Sequence, residues 1–223
     1  MWCIAAEANA QFACQMESVL DVYKRPHDPD YPVVCMDETT TQCTKEVRKP
    51  IQARPGQTER YDVEYERNGV AHLMLFYAPF ENWRRIQVAD NHKACEWAEA
   101  VRRLVEEDYP NAKRITLVMD NLNTHSGASL YKAFPPAVAR RLLDQLELVF
   151  TPKHGSWLNM AECEFSVLSR QCLSRRLPDI TTVAREVQAW VNDRNRLTKP
   201  VDWRFTKEDA RIKLKRLYPK LLN

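Results

Sequence analysis

A chain of 223 residues with 44% hydrophobic and 28% charged residues can bury one good-sized core, and its composition is that of an ordinary globular domain rather than a disordered or fibrous chain. No run of about 18 apolar residues marks a membrane span, and the N-terminus lacks the basic segment and long apolar stretch of a secretory signal, so a cytoplasmic protein with no membrane partner is expected. The net charge is only +3, but residues 151–223 hold 15 Lys+Arg against 8 Asp+Glu, a balance of +7 that leaves −4 for residues 1–150. Such asymmetry points weakly to a polyanion partner. The seven cysteines are scattered and include no C-x-x-C pair, which argues for free thiols rather than a zinc site.

In chain order, Phe12, Met16, Leu20 and Tyr23 recur at helical spacing and predict a helix from about residue 8 to 23, ended by the prolines of Lys24–Pro32. The run Val33–Met36 predicts a short buried strand with Asp37 and Glu38 at its C-terminal end, where a carboxylate costs desolvation unless a cation meets it. Arg60–Phe80 predicts a hairpin: Tyr61, Val63 and Tyr65 alternate with polar residues, Asn68-Gly69 supplies a type I′ turn, and Ala71–Ala78 forms a second arm that is apolar on both faces. Ala94, Trp97, Val101 and Leu104 predict a helix that Pro110 ends. A continuous apolar strand then runs up to Asp120. After it come a proline-interrupted helical segment over Ser129–Leu146, a strand at Leu146–Phe150, a helix that Ser156 would N-cap, a further helix over Thr181–Asn195 and a basic tail. Alternating strands and helices imply parallel pairing in the second half, and the hairpin imposes antiparallel pairing in the first. The expected fold is therefore α/β, a mixed five-stranded sheet with helices on both faces.

Asp37 and Asp120 each close an apolar strand. If the two strands are parallel neighbours, both carboxylates emerge at one sheet edge, where open α/β sheets bind ligands. Two such anions repel each other unless a cation lies between them. In the helix after the last strand, Trp157, Leu158, Ala161, Phe165, Leu168 and Cys172 form a core stripe, with Glu162 on one margin and Glu164 on the other. Periodicity does not choose between the two glutamates.

The segments VVCMDETTTQ (Val33–Gln42), LVMDNLNTH (Leu117–His125) and TPKHGSWLNMAECEFSVLSRQCLSRR (Thr151–Arg176) resemble the three acidic blocks of DDE-type transposases of bacterial insertion sequences, in the IS-six-thirty branch related to mariner elements. The similarity extends from about Phe12 to Leu221 and takes in RYDVEYERNG, SLYKAFPP, AWVNDRN and DWRFTKEDARIKLKRLYP. It implies an RNase H-like fold and a triad of Asp37, Asp120 and Glu162. The third acid of the family lies three residues after the Asn of the SWLN segment, which selects Glu162 over Glu164. The interval of 42 residues from Asp120 to Glu162 is longer than in mariner relatives, and the helical insertion Ser129–Leu146 accounts for it.

What the resemblance implies about chemistry is metal-dependent DNA strand cleavage and strand transfer. Two divalent ions about 4 Å apart activate the nucleophile and stabilise the leaving oxygen, and carboxylates are the hard ligands that Mg²⁺ or Mn²⁺ prefers. Asp37 is expected to bridge both ions, with Asp120 and Glu162 each completing one. Asn121 and Asn159 would orient a carboxylate or water, or act as caps, and Glu38 is expected to face solvent or support the ligands. His125 would support the site, and both His125 and His154 are candidates for phosphate contact as well as for structural roles. Lys153, His154, Arg170, Arg175 and Arg176 would follow the DNA backbone, giving affinity without sequence preference. Implied partners are double-stranded DNA, as transposon ends and as target, and a homodimer is an arrangement the resemblance allows. The expected organisation is an N-terminal helix and linker over 1–30 and a catalytic domain with basic C-terminal helices over 31–223, with the family's N-terminal helix-turn-helix region absent. The rival readings are an inactive, DNA-binding remnant and a structure-selective nuclease; a complete triad argues against the remnant. Glu164→Gln is expected to be mild.

Overall fold

The apolar run at Val33 does begin a strand, but the strand does not stop at Asp37. In the computed structural model, which describes residues 9–60, 62–91, 93–121 and 125–220, β1 spans Val33–Glu46 and pairs antiparallel with an equally long β2, Tyr65–Ala78. Asn68-Gly69 therefore lies inside β2 and not in a turn. Gly69, at φ 88°, sits where the β1–β2 register shifts between Gln42 and Thr44, the irregularity that an Asn-Gly pair supports when a long partner strand continues past it. The actual hairpin joins β2 to β3, Trp83–Ala89, and its turn carries Asn82 at φ 57°. Tyr61, counted in the expected first arm, lies outside the described residues.

The remaining strands are β4, Ile115–Met119, and β5, Leu146–Phe150. The sheet order is β3-β2-β1-β4-β5, with β1–β4 and β4–β5 parallel. This is the expected mixed five-stranded sheet.

Each face of the sheet has its own core, because alternate strand residues point to opposite sides. On one face, Val33, Cys35 and Val118 pack with Leu73 and Leu75 against α1 (Ala10–Tyr23), α5 (Met160–Leu168) and α6 (Ile180–Leu197). On the other, Val34, Met36, Leu117 and Met119 pack against α2 (Ala94–Arg103), α3 (Gly127–Ala133) and α4 (Pro136–Asp144). The basic tail forms α7, Lys207–Lys213, opened by a reciprocal Thr206/Asp209 capping box.

Helix α1 is part of the first core rather than an appendage to it. Met16, Val19 and Leu20 are fully buried, and the buried Tyr23 hydroxyl donates to the Leu158 carbonyl at 2.6 Å. That bond ties α1 to the turn that introduces α5. Ser156 opens a single 3-10 turn, Ser156–Leu158, and the N-cap of α5 is Asn159, whose side chain accepts from Ala161 N.

Candidate active site

β1 pairs with β4 only over Val33–Cys35, and Cys35 lies opposite Val118. Carrying that register two residues on sets Asp37 beside Asp120, the first residue beyond β4. Cys35 and Val118 share the α1/α5 core, and with a side-chain period of two, both aspartates face the same side. On that side α5 presents Glu162 in its first turn. Asn159 fixes the approach of the helix. Its Nδ2 donates to the Met36 carbonyl at 2.9 Å while its Oδ1 caps Ala161 N at 3.1 Å. One buried amide thus joins the start of α5 to the strand residue that precedes Asp37. Of its two expected roles, the cap is the one observed.

The three carboxylates feel one another. Burial pushes Asp37 up to about 7, with the Glu162 and Asp120 charges adding to it; the Glu38 amide, donating to Asp37 Oδ1 at 2.8 Å, and His125 oppose the rise. Glu162 is also raised, first by burial and then by Asp120, against a lowering contact from Ser156. Among the described residues no three His, Cys, Asp or Glu side chains stand as close together as a ligated ion requires. The donor set nonetheless fits Mg²⁺ or Mn²⁺ in kind: it is all oxygen, and Asp37 and Glu162 sit in a field of negative charge that a divalent cation would offset.

Asp120 has a cationic neighbour. His125 Nδ1 meets Asp120 Oδ1 at 2.7 Å, and its Nε2 faces Glu38 Oε1 at 3.3 Å without hydrogen-bond alignment. Burial pushes the imidazole down, but the bond to Asp120 and the nearby Glu38 outweigh it and hold the pKa at about 9. The ring is buried and stacks on Trp97, with centroids 5.9 Å apart. His125 thus braces Asp120, and Glu38 stands behind it rather than in open solvent. Residues 122–124 of the Asp120–His125 motif lie outside the described residues.

Glu164 has a different environment. It is 4% exposed and meets Arg84 at 3.0 Å and both nitrogens of the Arg194 fork at 3.0 and 3.1 Å. Arg84, 1% exposed, is held in turn by Asn82 and Asn195. A carboxylate between two guanidiniums ties α5 to β3 and α6, so its substitution bears on stability rather than on the carboxylate cleft.

Asp120, Asn121, Lys153, His154 and Glu162 line a cleft of about 760 Å³. Its opposite wall is the start of α1, with Asn9, Gln11 and Gln15. Sequence reasoning missed this wall, because the amphipathic pattern of α1 identifies its buried stripe but not what its polar side faces. His154 adopts φ 64°, a left-handed conformation uncommon for a side chain with a Cβ. At the following Gly155 an added Cβ would stand 2.5 Å from Pro152 Cγ, so the tight turn beside the cleft requires glycine there. Of the remaining basic residues, Arg170 is exposed just past α5. Arg175 pairs with Glu186. Arg176 pairs with Glu46 at 2.6 Å, donates to the Val63 and Glu64 carbonyls and lies over the Tyr65 ring. These contacts engage the Arg176 guanidinium at the far end of β1 and β2.

A family model described as DDE superfamily endonuclease matches residues 32–184, more than half of the chain. No curated protein matches it. Among solved structures, the chain is similar to a Mos1 transposase paired-end complex with left transposon end (14% identity, TM-score 0.57, covering 85% of this chain and 57% of that one). It is also similar to a Mos1 mariner paired end complex with Mn (15%, 0.56, 96% and 61%) and to one with Mg (15%, 0.55, 97% and 66%). At these identities the likeness is one of fold, and it is the RNase H-like fold of those neighbours. The chain spans roughly six-tenths of the length of these structures.

Proposed function

The chain belongs to the DDE superfamily endonuclease family, and from that premise we propose that it cleaves DNA phosphodiester bonds and transfers strands at the cleft between α1 and α5. The observation that carries this reading is the contrast in charge compensation. Glu164 is matched by two arginines, whereas burial raises the proton affinity of both Asp37 and Glu162, with the Glu162 and Asp120 charges adding to the rise at Asp37 and the Asp120 charge to that at Glu162. Uncompensated carboxylates are costly to a fold and useful to a site that takes up cations.

Asp37 would hold both of two Mg²⁺ or Mn²⁺ ions, with Asp120 and Glu162 each completing one. Bound divalent ions supply activation of water or a 3′-hydroxyl and stabilisation of the leaving oxygen. The protein's own residues do the positioning. His125 fixes the rotamer of Asp120, and Asn159 sets the depth at which α5 delivers Glu162. Lys153 and His154, on the rim beside both acids, would hold a phosphate of the strand being cut. Arg170 and Arg175 would extend that contact along a duplex.

Double-stranded DNA as substrate is supported by the neighbours, which are transposon end complexes. Membership of the bacterial insertion-sequence branch, strand transfer into a target and a homodimeric arrangement belong to the same proposal. Incubating the protein with linear, hairpin and branched duplexes in Mg²⁺ or Mn²⁺ tests it. Cleavage that disappears in Asp37→Asn, Asp120→Asn and Glu162→Gln is the expected result. Preference for branched over linear duplex would favour the structure-selective nuclease, and a folded wild type that cuts none of them would establish the inactive remnant.

A further inference from the structure

The C-terminal segment runs the length of α1 in reverse. Trp203 packs edge-on against Tyr23 with ring centroids 4.9 Å apart, and Lys207 pairs with Asp21 at 2.8 Å. Arg211 then grips Glu17 through Nε and Nη2 at 2.8 and 2.7 Å, and the Leu217 carbonyl accepts from Asn9 N at 3.1 Å. The Tyr218 hydroxyl donates to Glu17 as well, at 2.9 Å. Glu17 and Asp21 are the acidic residues of α1, which carries no basic one, so cations of the tail meet their complement on this helix.

The two ends of α1 are held differently. At Tyr23 the helix is anchored: its hydroxyl donates to the Leu158 carbonyl, and Val19, Leu20 and Val22 in the last turns are buried. Toward Asn9 the contact with the tail is loosely filled. Ala10, Ala13 and Cys14 border a hollow of about 360 Å³ that Arg211, Tyr218 and Pro219 close from the other side. A gap of that kind forfeits the dispersion contacts that otherwise fix a helix. What joins the two sides is the Glu17 cluster, a bidentate ion pair with an added hydroxyl, the geometry in which a surface pair carries weight. The Arg211 bond holds the Glu17 carboxyl below the usual range.

The loosely filled end is the end that lines the cleft. Asn9, Gln11 and Gln15 stand there on the wall opposite Asp120 and Glu162. A helix of 14 residues is about 20 Å long, so a small rotation about the Tyr23 anchor displaces these amides most. We propose that the C-terminal segment is a strap that fixes the width of the cleft, with Glu17 as its positioning residue: through Arg211 and Tyr218 it holds the first two turns of α1 where a DNA strand can bridge the polar wall and the acids. This rests on the reading of the cleft as a DNA-cleavage site. Glu17 is outside the cleft lining and acts through α1, so its loss is felt in duplex binding and not in the metal or the chemistry.

Hydrogen–deuterium exchange on the full chain, without metal or DNA, tests the strap by itself. In Glu17→Ala, residues 10–16 should exchange about fivefold faster, while residues 160–168 of α5 keep their wild-type rates. Reversing the pair, Glu17→Arg with Arg211→Glu, should restore the slow exchange. Should Glu17→Ala melt early, Glu17→Gln, which removes the charge and keeps an acceptor, carries the comparison. Unchanged exchange, or acceleration spread equally over α1 and α5, overturns the proposal. Steady-state duplex cleavage in Mn²⁺ then tests the consequence. Glu17→Ala should raise KM about fivefold at unchanged kcat, and Asp21→Asn, which breaks a pair at the anchored end, should leave KM alone. A fall in kcat without a change in KM, or equal KM effects at Glu17 and Asp21, overturns the role of the strap in the cleft. Exchange as expected in a wild type that neither binds nor cuts duplex sinks the DNA reading of the cleft and spares the strap.

Discussion

Glu162 and Glu164 stand two residues apart on α5 and live in opposite electrostatic worlds. Glu164 is sealed between Arg84 and Arg194, and every charge in that cluster has a partner. Glu162 opens on a cleft shared with Asp120, and burial and like charge raise both Asp37 and Glu162. The first cluster spends its charges on joining α5 to β3 and α6. The second leaves them in excess, which only a bound cation or a proton can relieve. Partnering, more than burial, separates a structural carboxylate from a functional one in this fold.

The sharpest way to break the comparison is to remove one charge from each cluster. Glu162→Gln should lower metal-dependent cleavage at least about a thousandfold with little change in thermal stability. Glu164→Gln should do the reverse. It leaves the buried Arg84 and the half-buried Arg194 short of a counter-charge, costing about 3–5 kcal/mol of stability, while the fraction that stays folded cuts DNA. Parallel melting curves and cleavage rates normalised to folded protein separate the two; equal loss of normalised rate would contradict the distinction.

Asp37 sharpens the comparison through pH. Its folded-state pKa lies above the unfolded value, 3.8 raised to about 7, so the folded form retains a proton that the unfolded form releases. Stability linked to this group is fully present below about pH 4 and is lost as pH rises through 7. In metal-free buffer at pH 8, Asp37→Asn should therefore be more stable than wild type by about 2 kcal/mol, a rise of several degrees in Tm, with the difference gone at pH 3.5. Added Mn²⁺ should reverse the order. Chemical denaturation at the two pH values gives the answer.

Asn159→Ala tests the hinge between the clusters. It removes the α5 cap and leaves the Met36 carbonyl unpaired, for about 2 kcal/mol. It should also weaken Mn²⁺ binding, because Glu162 loses its set depth; full metal affinity would make Asn159 a cap and nothing more. The smallest expected effect is on the rim. Lys153→Ala should reduce the slope of log affinity against log salt by about 1 for any duplex, whereas Arg176→Ala, whose guanidinium is committed to Glu46 and two carbonyls, should leave the slope alone.

These distinctions were unequally legible in the sequence. The runs at Val33–Met36 and Ile115–Met119 are buried on both sides and readable as such, and Leu146–Phe150 is a shorter, half-buried run that Glu147 interrupts. β3 escaped because Arg84 and Arg85 lie inside it; their charges are met by Glu164 and Asp108, partners remote in the chain. Asn68-Gly69 suggested a turn because local chemistry does not reveal that β1 runs on to Glu46 and holds β2 straight. The two aspartates were legible from their strand positions, and resemblance to the family singled out Glu162. What no periodicity could supply was the reason Glu164 differs, since Arg84 and Arg194 lie on β3 and α6. The α1 wall of the cleft was hidden for the same cause.

The most direct measurement is calorimetric titration of Mn²⁺ into the purified protein at pH 8, with wild type, Asp120→Asn and Glu164→Gln side by side and each checked for folding. The cleft as described here predicts binding by the wild type, loss of binding in Asp120→Asn, and retention by the folded fraction of Glu164→Gln. Mn²⁺ affinity unchanged in Asp120→Asn, or abolished in folded Glu164→Gln, would contradict it.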